Sequence, residues 1–519
     1  MAKPTQVCRL CCGTVDAGGA RVVGLDSDRE RETTIVPFEE SVILGFDASR
    51  AEAAQVNAAL RAIAVADNPR RRRREGQLVS LPQPKGAPVE ITVVSRQRAT
   101  LLLLREGGGF PLVRERRMSA PAGSAEMDWP FMLAGLKVAH ATDDLSAAMT
   151  DGVPFATTRT ETDFTYEGVA MVCVAHPLVD GRRRIELIAD GAHADMLLRF
   201  GLRLHEAVGL PVAWPSDDGS VPASLDLDEA ETSADAFRAM ALSCLHQIVA
   251  NRAGVVEGAA EGVHQMRVGV RRLRALLSLF APVFEPIAHA EKKESLSDFQ
   301  KLLGPMREWD VFIAELLEPL AQQVPEAEAL DHARDAALAE REAAHAAAAT
   351  AVQAPSFTGL ILDTAAWILS PDSYLPEAEE PIGPFAGRIL SKQHRKLKRR
   401  GREHAEAAPE VLHNVRIQAK KLRYAIEFFG SLHPRKKQKR FLKRVKAVQD
   451  ALGVVNDAAV AADHVAVLTH RLREANVDPA LIGEAAGLIR GWQLAKTGSE
   501  RARFAGVWKD YAGLSRFWT

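Results

Sequence analysis

The feature that most constrains this 519-residue chain is a charged helical pattern that occurs twice. Residues 263–280 read VHQMRVGVRRLRALLSLF, and residues 412–429 read LHNVRIQAKKLRYAIEFF, so the two copies lie 149 residues apart. In both copies a Leu-Gly pair follows, and its glycine comes 40 residues after the histidine. Because two landmarks keep the same spacing, duplication of one helical unit is the simplest explanation.

Each copy divides into two faces at the helical rotation of about 100 degrees per residue. The histidine and three basic residues fall within a sector of about 80 degrees, and apolar residues occupy the opposite side. These basic faces consist of His264, Arg267, Arg271 and Arg274 in the first copy, and of His413, Arg416, Lys420 and Arg423 in the second. The pattern predicts two helices that each bury one side and present cations on the other.

Neither basic face has an acid between its histidine and its last arginine. A solvated helix face usually includes Glu or Asp at i+4 spacing, since like charges there cost a few tenths of a kcal/mol per pair. A bound anion would relieve that repulsion. Arginine can donate two hydrogen bonds to one phosphate, and histidine adds a donor that an anion would help to protonate. The alternative is an ordinary solvated face.

Further positive charge surrounds the second copy, although the whole chain has a formal charge of only −1. Residues 391–446 contain 19 Lys and Arg against 4 Glu, whereas residues 217–235 contain seven carboxylates. The additional candidate contacts are Lys392, Arg395, Lys396 and Arg399 in one helical stretch, and Lys439 and Lys443 in another. Several basic helices together can line a groove, which suits a long polyanion better than a mononucleotide.

The scarcity of aromatic residues near these helices helps to identify the polyanion. Proteins that hold single-stranded nucleic acid usually stack the bases on aromatic rings. Only Trp309 and Tyr424 lie near the two copies, and we expect both to pack in the core or at its rim. The sequence therefore favours inorganic polyphosphate, with nucleic acid as the competing ligand.

The remainder of the chain predicts an α+β multidomain protein. Residues 35–213 contain strand-like segments and two helical stretches, which predicts an antiparallel β barrel or sheet with helices. Residues 214–233 form an acidic linker, and residues 234–519 form an all-α domain with repeats at about 234–370 and 384–519. The arginine run at 70–74 is interpreted as a solvated loop or a second polyanion contact.

The first residues and the apolar runs bear on localisation. No apolar run approaches the roughly 20 residues of a membrane span, and residues 1–34, an N-terminal tail, lack a signal-peptide pattern. We therefore expect a cytoplasmic protein. Cys8, Cys11 and Cys12 lack the further ligands of a zinc site, so a reduced tail without metal is expected.

The two copies, together with ALGVVNDAAV and the closing RARFAGVWKDYAGLSRFW, resemble the CHAD domain over residues 234–519. The resemblance implies two four-helix bundles related by pseudo-twofold symmetry, with a basic cavity that binds polyphosphate, sometimes on polyphosphate granules. The positions that match the family's binding motif are His264, Arg267, Arg271, Arg272, Arg274, His413, Arg416, Lys420, Lys421 and Arg423. The second copy has lysine at two positions where the first has arginine, which weakens bidentate contact there.

The N-terminal half more weakly resembles a CYTH domain, a triphosphate tunnel whose E-x-E-x-K strand holds a metal and cleaves triphosphate. The segments EESVILGFDASRAEAAQVNAAL and RRRIELIADGAHADMLLRFGLRLHEAVGL are similar to its opening and closing elements. Glu39 and Glu40 are adjacent and so point to opposite faces of a strand, and no lysine follows at the required spacing. A late strand keeps Glu186, but Ile188 takes the next position on that face.

The resemblance therefore implies a degenerate CYTH-like domain with no catalytic residues, no metal ligands and no cofactor. The alternative is a triphosphatase that depends on Mg²⁺ or Mn²⁺ and uses the helical half to bind substrate.

Overall fold

A computed structural model describes most of the chain from residue 40 onward. The described residues are 40–81, 89–95, 99–109, 112–121, 153–178, 182–214, 225, 227, 230–402 and 409–518. The N-terminal tail with its three cysteines, Glu39 and most of the acidic linker lie outside the described residues.

The described residues of the N-terminal half form nine antiparallel strands and two α-helices, as the sequence predicts. The strands are β1 (Glu40–Ala48), β2 (Val65–Ala66), β3 (Arg70–Leu81), β4 (Val89–Ser95), β5 (Ala99–Gly109), β6 (Leu112–Pro121), β7 (Val153–Tyr166), β8 (Val169–Pro177) and β9 (Arg183–Asp190). The helices are α1 (Arg50–Ile63) and α2 (Ala194–Val208). Helix α1 begins at a capping box, in which Ser49 and Glu52 satisfy each other's backbone N–H groups.

The strands pair in the order β2-β7-β3-β4-β5-β6-β1-β9-β8. Strand β7 also pairs with β8, which connects the two ends of that order. Helices α1 and α2 pack against one face of the sheet, where Leu44 and Phe46 of β1 and Phe200 of α2 are fully buried.

The arginine run at 70–74 forms the start of β3, so its interpretation as a loop is wrong. Arg70 lies directly opposite Glu161 of β7, and its guanidinium lies 3.5 Å from the carboxylate of Asp163. Arg72 lies 3.9 Å from Glu161. Acidic residues on a distant strand therefore offset the repulsion within the run, which local sequence patterns do not reveal.

The C-terminal half is mostly helical, as predicted. Its thirteen α-helices among the described residues are α3 (Ser233–Val249), α4 (Arg252–Val256), α5 (Ala260–Phe280), α6 (Pro286–Leu302), α7 (Gly304–Phe312), α8 (Glu318–Gln323), α9 (Glu328–Gln353), α10 (Pro355–Leu369), α11 (Ile382–Arg400), α12 (Pro409–Phe428), α13 (Arg435–Ala451), α14 (Gly453–Glu474) and α15 (Pro479–Ala512). None of the described helices is long and apolar enough to cross a membrane.

Hydrogen bonds from side chains of helix α2 connect the N-terminal half to the helical half. The imidazole of His205 contacts two carbonyl oxygens, that of Leu210 at 2.7 Å and that of Pro355, at the start of α10, at 3.1 Å. Arg199 of α2 donates to the hydroxyl of Ser370 at 2.8 Å. These contacts lie on α10, away from the repeated helices α5 and α12.

Equivalent residues of the two copies, 149 positions apart, make the same side-chain hydrogen bond. Arg274 of α5 donates to Gln300 Oε1 of α6 at 2.9 Å, and Arg423 of α12 donates to Gln449 Oε1 of α13 at 3.3 Å. Each residue of the second pair lies 149 positions after its counterpart. The two motif helices therefore pack against equivalent neighbours in the two copies.

Candidate functional site

The basic face of α5 lies partly exposed along one side of the first copy. His264, Arg267, Arg271 and Arg274 are all half-buried, as their helical spacing predicts. Burial lowers the pKa of His264, and the nearby cations, above all Arg307 of α7, lower it further. Among the described residues, no carboxylate forms an ion pair with any of these four side chains. This face is therefore positive and lacks a direct counter-ion within the described part of the chain.

The guanidinium of Arg267 lies beside the junction of α6 and α7. Its guanidinium lies 3.4 Å from the Gln300 carbonyl oxygen, and a Cβ at Gly304 would lie 3.4 Å from its Nη1 atom. Burial lowers the pKa of Arg267, and the charge of Glu308 acts in the opposite direction. The glycine of the repeated Leu-Gly pair thus leaves room for a guanidinium that the surrounding helices hold in place.

Arg272 differs from the other basic residues of the motif because it is in the core. Its side chain is buried, with the residue 4% exposed, and its Nη1 donates to Gln247 Oε1 of α3 at 3.0 Å. Its guanidinium also lies 5.3 Å from the centre of the Phe428 ring. These contacts give Arg272 a structural role and turn it away from the basic face.

The second copy distributes its charge differently along α12. His413 and Lys421 are exposed, whereas Arg416, Lys420 and Arg423 are half-buried. Arg423 donates to Glu427 Oε1 at 2.8 Å, and that carboxylate holds the pKa of Arg423 above its usual value against the opposing effect of burial. One cation of this face is therefore neutralised within the protein.

The two motif helices meet between the copies. Arg271 of α5 donates from Nε to the hydroxyl of Tyr424 on α12 at 2.7 Å. The rings of Phe280 and Phe429, which end the two motifs, lie 5.9 Å apart in the core. The first basic face therefore extends to the helix that carries the second.

A small cavity of about 130 Å³ lies at this junction. The first copy contributes Ser278 and Pro282 to its wall, and the second contributes Lys392, Lys396 and Lys421. Burial lowers the pKa of Lys421, and Lys293 of α6, Arg400 and Lys396 lower it further. Three cations from the two copies thus act on the ammonium group of Lys421, and an anion bound there would offset their repulsion.

A larger cavity of about 720 Å³ lies farther along α11. Four predicted residues line it, namely Lys392, Arg395, Lys396 and Arg399. Lys398 and Arg516 also line this cavity, and Lys293 and Arg307 lie beside the motif helices, although the repeated pattern predicts none of the four. Lys398 lies within a visible basic run, but nothing in the sequence pattern connects Arg516 to α11.

Lys439 and Lys443 are exposed on α13. Neither residue lines either of these two cavities. The structure thus brings Lys392, Lys396 and Lys421 together, while Lys439 and Lys443 extend the positive surface at some remove.

Charged side chains are also buried in the N-terminal sheet. Glu161 forms ion pairs with Arg159 and, at 3.9 Å, with Arg72. Glu186 lies 3.1 Å from His176 Nε2, and Gly45 of β1 lies directly opposite it. Among the described residues, no group of three or more His, Cys, Asp and Glu could hold a metal ion. The buried acids that the structure describes are thus engaged with bases.

The helical half has counterparts among known proteins. The family model of the CHAD domain matches residues 239–466. The crystal structure of the CHAD domain from the plant Ricinus communis is 30% identical to this chain, which covers 97% of that structure with 57% of its own length at a TM-score of 0.50. PptA from Streptomyces chartreusis is 17% identical, and 54% of this chain covers 100% of it at a TM-score of 0.43. No curated protein matches the chain.

Proposed function

Residues 239–466 of this chain belong to the CHAD domain family, and we propose that the helical half binds inorganic polyphosphate. The observation that carries the proposal is the junction of the two copies, where Lys392, Lys396 and Lys421 line one cavity and Lys293 adds a fourth charge. The basic face of α5 reaches the same junction through the Arg271–Tyr424 contact. A chain of phosphates would supply the negative charge that this surface lacks.

The ligand is polyphosphate rather than single-stranded nucleic acid because the site lacks surfaces for stacking bases. Trp309 is 6% exposed and Tyr424 is 7% exposed, so both rings pack in the core. Trp309 contacts the imidazole of His464 with ring centres 4.1 Å apart. Positive charge without accessible rings favours a ligand that consists of phosphate alone.

The helical half further corresponds to two four-helix bundles related by pseudo-twofold symmetry. The equivalent Arg–Gln contacts at Arg274 and Arg423 support this arrangement. We further propose that the protein is cytoplasmic and associates with polyphosphate granules.

The binding proposal is tested by titrating long-chain polyphosphate into the full-length protein at several salt concentrations. Affinity falls steeply as salt rises, because binding releases counter-ions. Joint replacement of Arg267 and Arg416 by Ala weakens binding by roughly tenfold or more, since each removes a charge-assisted hydrogen bond. The matched control replaces Arg70 and Arg71 of β3 and leaves affinity within about twofold. If single-stranded RNA competes equally with polyphosphate and responds to the same changes, the ligand assignment is wrong.

For the N-terminal half, we propose a CYTH-like barrel that does not hydrolyse triphosphate. The pairing of β7 with β8, which joins the ends of the strand order, supports a closed barrel. On the face shared by Glu186, β1 contributes Ile43, Gly45 and Asp47. Asp47 is paired with Arg184 at 2.9 Å, so that face of β1 lacks a pair of carboxylates to hold a divalent cation. The engagement of Glu161 and Glu186 with Arg159 and His176 supports a structural role for these charges.

The rival reading is a triphosphatase that needs Mg²⁺ or Mn²⁺. It is tested by measuring phosphate release from tripolyphosphate with either cation, in the wild type and in Glu186→Ala. We expect equal background rates from both proteins. Metal-dependent release by the wild type that the substitution abolishes would establish the enzyme instead.

A further inference from the structure

The larger cavity on α11 is built from two segments that lie far apart in the sequence. Seven cationic side chains line it, together with Leu514 and Ser515, and we call this cavity the C-terminal pocket. Its cations are Lys392, Arg395, Lys396, Lys398, Arg399, Arg402 and Arg516. Arg516 comes from the segment after α15, beyond residues 239–466, which the family model matches.

Specific contacts hold the last residues of the described chain against α11. The indole N–H of Trp518 donates to Ser391 Oγ at 2.9 Å, and Lys398 Nζ donates to the Ala512 carbonyl oxygen at 3.0 Å. His394 Nδ1 lies 2.8 Å from the hydroxyl of Tyr511. Because these contacts alternate with the cations of α11, the segment that carries Arg516 forms a fixed wall of the pocket.

The charge in the pocket is uncompensated. Among the described residues, no carboxylate forms an ion pair with any of the seven cations. His394, which is 4% exposed beneath the pocket, has its pKa lowered to about 4 by burial first, and then by Lys398 and Arg516. A concave surface with seven cations attracts a multivalent anion, and arginines offer it paired donors.

The C-terminal pocket does not derive from the duplicated motif. At an offset of 149 residues, the cations of α11 correspond to uncharged side chains and one histidine in the first copy. Lys392, Arg395 and Lys396 correspond to Ser243, His246 and Gln247. Lys398 and Arg399 correspond to Val249 and Ala250. Val249 and Ala250 are buried. The first copy thus has neither these cations nor the exposed surface, so the pocket is particular to the second copy.

The pocket is adjacent to the junction of the two copies. Lys392 and Lys396 line both the C-terminal pocket and the smaller cavity that contains Lys421. Cations therefore continue from the α12 motif along α11 to Arg516. A flexible phosphate chain can follow such a path, because it presents a charge on every phosphate.

We propose that the C-terminal pocket is a second anion site, which binds a short run of phosphates such as one end of a polyphosphate chain. This inference rests on the proposed function for its class of ligand, but it assigns binding to residues outside the repeated motif. Its key contacts are Arg399 of α11 and Arg516 of the segment after α15, one from each of the two segments that line the pocket. Since the pocket needs only a few phosphates to fill it, tripolyphosphate binds there without the motif faces.

The test titrates tripolyphosphate and long-chain polyphosphate into the full-length wild type and three double variants. Arg399→Gln with Arg516→Gln weakens tripolyphosphate binding by roughly tenfold to a hundredfold, as expected for two lost charge-assisted hydrogen bonds. Arg267→Ala with Arg416→Ala leaves tripolyphosphate affinity within about twofold but weakens long-chain binding. Arg473→Gln with Arg490→Gln removes the same charge from exposed positions on α14 and α15 and serves as the control.

Each outcome decides between the two proposals. If the wild type does not bind tripolyphosphate, or if the Arg399 and Arg516 variant binds it as the control does, the second site does not exist. If the wild type binds tripolyphosphate but not long-chain polyphosphate, the pocket stands and the proposed function fails. Circular dichroism of each variant checks its folding, and all four substituted arginines in the pocket and control variants are exposed.

Discussion

The two copies of the motif share a scaffold but use equivalent positions differently. Both keep the contact of an arginine with a glutamine on the next helix, at Arg274 and at Arg423. In the first copy, Arg272 is buried against Gln247. At the same two positions the second copy has Lys421 and Lys396, which repel each other beside a cavity. Duplication thus preserved the packing, while substitution moved charge from the core to the surface of the second copy.

This difference has a physical cause. A guanidinium enters a protein core only where hydrogen-bond partners satisfy it, and Gln247 together with the Phe428 ring provides that environment for Arg272. Lys396 offers no acceptor in place of Gln247, so Lys421 remains exposed. The first copy therefore contributes more to stability at this position, and under the proposed function the second contributes more to anion binding.

The largest expected effect is on stability and separates Arg272 from Lys421. Arg272→Ala lowers the free energy of unfolding by roughly 2–4 kcal/mol, because it removes a buried hydrogen bond and the packing of a long side chain. Lys421→Ala changes it by less than about 0.5 kcal/mol, as expected for an exposed site. Urea denaturation of both variants measures these values. Equal losses would show that the two positions are not used differently.

The next expected effect concerns acid stability and compares His394 with Leu245, its equivalent in the first copy. The folded state holds the pKa of His394 at about 4, below the ordinary 6.5. The unfolded chain therefore binds more protons between these values, so the stability that the neutral imidazole contributes is present above pH 6.5 and is lost as pH falls toward 4.

The variant His394→Leu places the residue of the first copy in the second and removes this proton site. The difference in free energy of unfolding between His394→Leu and wild type should shift by about 3 kcal/mol in favour of the variant between pH 7 and pH 4. The reason is that the wild type loses stability over this range through His394 and the variant does not. Denaturation at both pH values measures the change, with His413→Leu as an exposed control. If the difference in free energy of unfolding between wild type and His394→Leu does not vary with pH, the lowered pKa of His394 in the folded state is wrong.

The smallest expected effect concerns Glu427, whose equivalent in the first copy is Ser278. The Glu427 carboxylate neutralises Arg423, whereas Arg274 in the first copy has no such partner among the described residues. Glu427→Ser therefore frees a cation and raises affinity for long-chain polyphosphate by roughly threefold to tenfold. Glu474→Ser, which removes one of the two carboxylate partners of Arg471 on α14, is the control for the loss of an exposed acid. An unchanged or lower affinity for Glu427→Ser would place Arg423 outside the binding surface.

Sequence patterns were sufficient for features that depend on local periodicity. The helical period placed His264, Arg267, Arg271 and Arg274 on one half-buried face, and the structure confirms that placement. The burial of Trp309 follows equally from its place among apolar residues. In the N-terminal half, alternating strand segments were enough to predict an antiparallel sheet.

Features that depend on distant residues were missed. Arg272 belongs to the motif by sequence, but only the approach of Gln247 and Phe428 shows that it is buried. The arginine run of β3 is a strand because Glu161 and Asp163 of β7 lie beside it. Local charge patterns contain no information about such partners.

The sequence by itself determined the duplication, the faces of the two motif helices and the concentration of cations in the second half, since these follow from spacing along one chain. Tertiary structure alone decided which cations share a surface. Arg516 joins α11 only because Trp518, Tyr511 and Ala512 dock on that helix. Electrostatic interactions depend on distance in space, and chain folding sets that distance independently of separation in sequence.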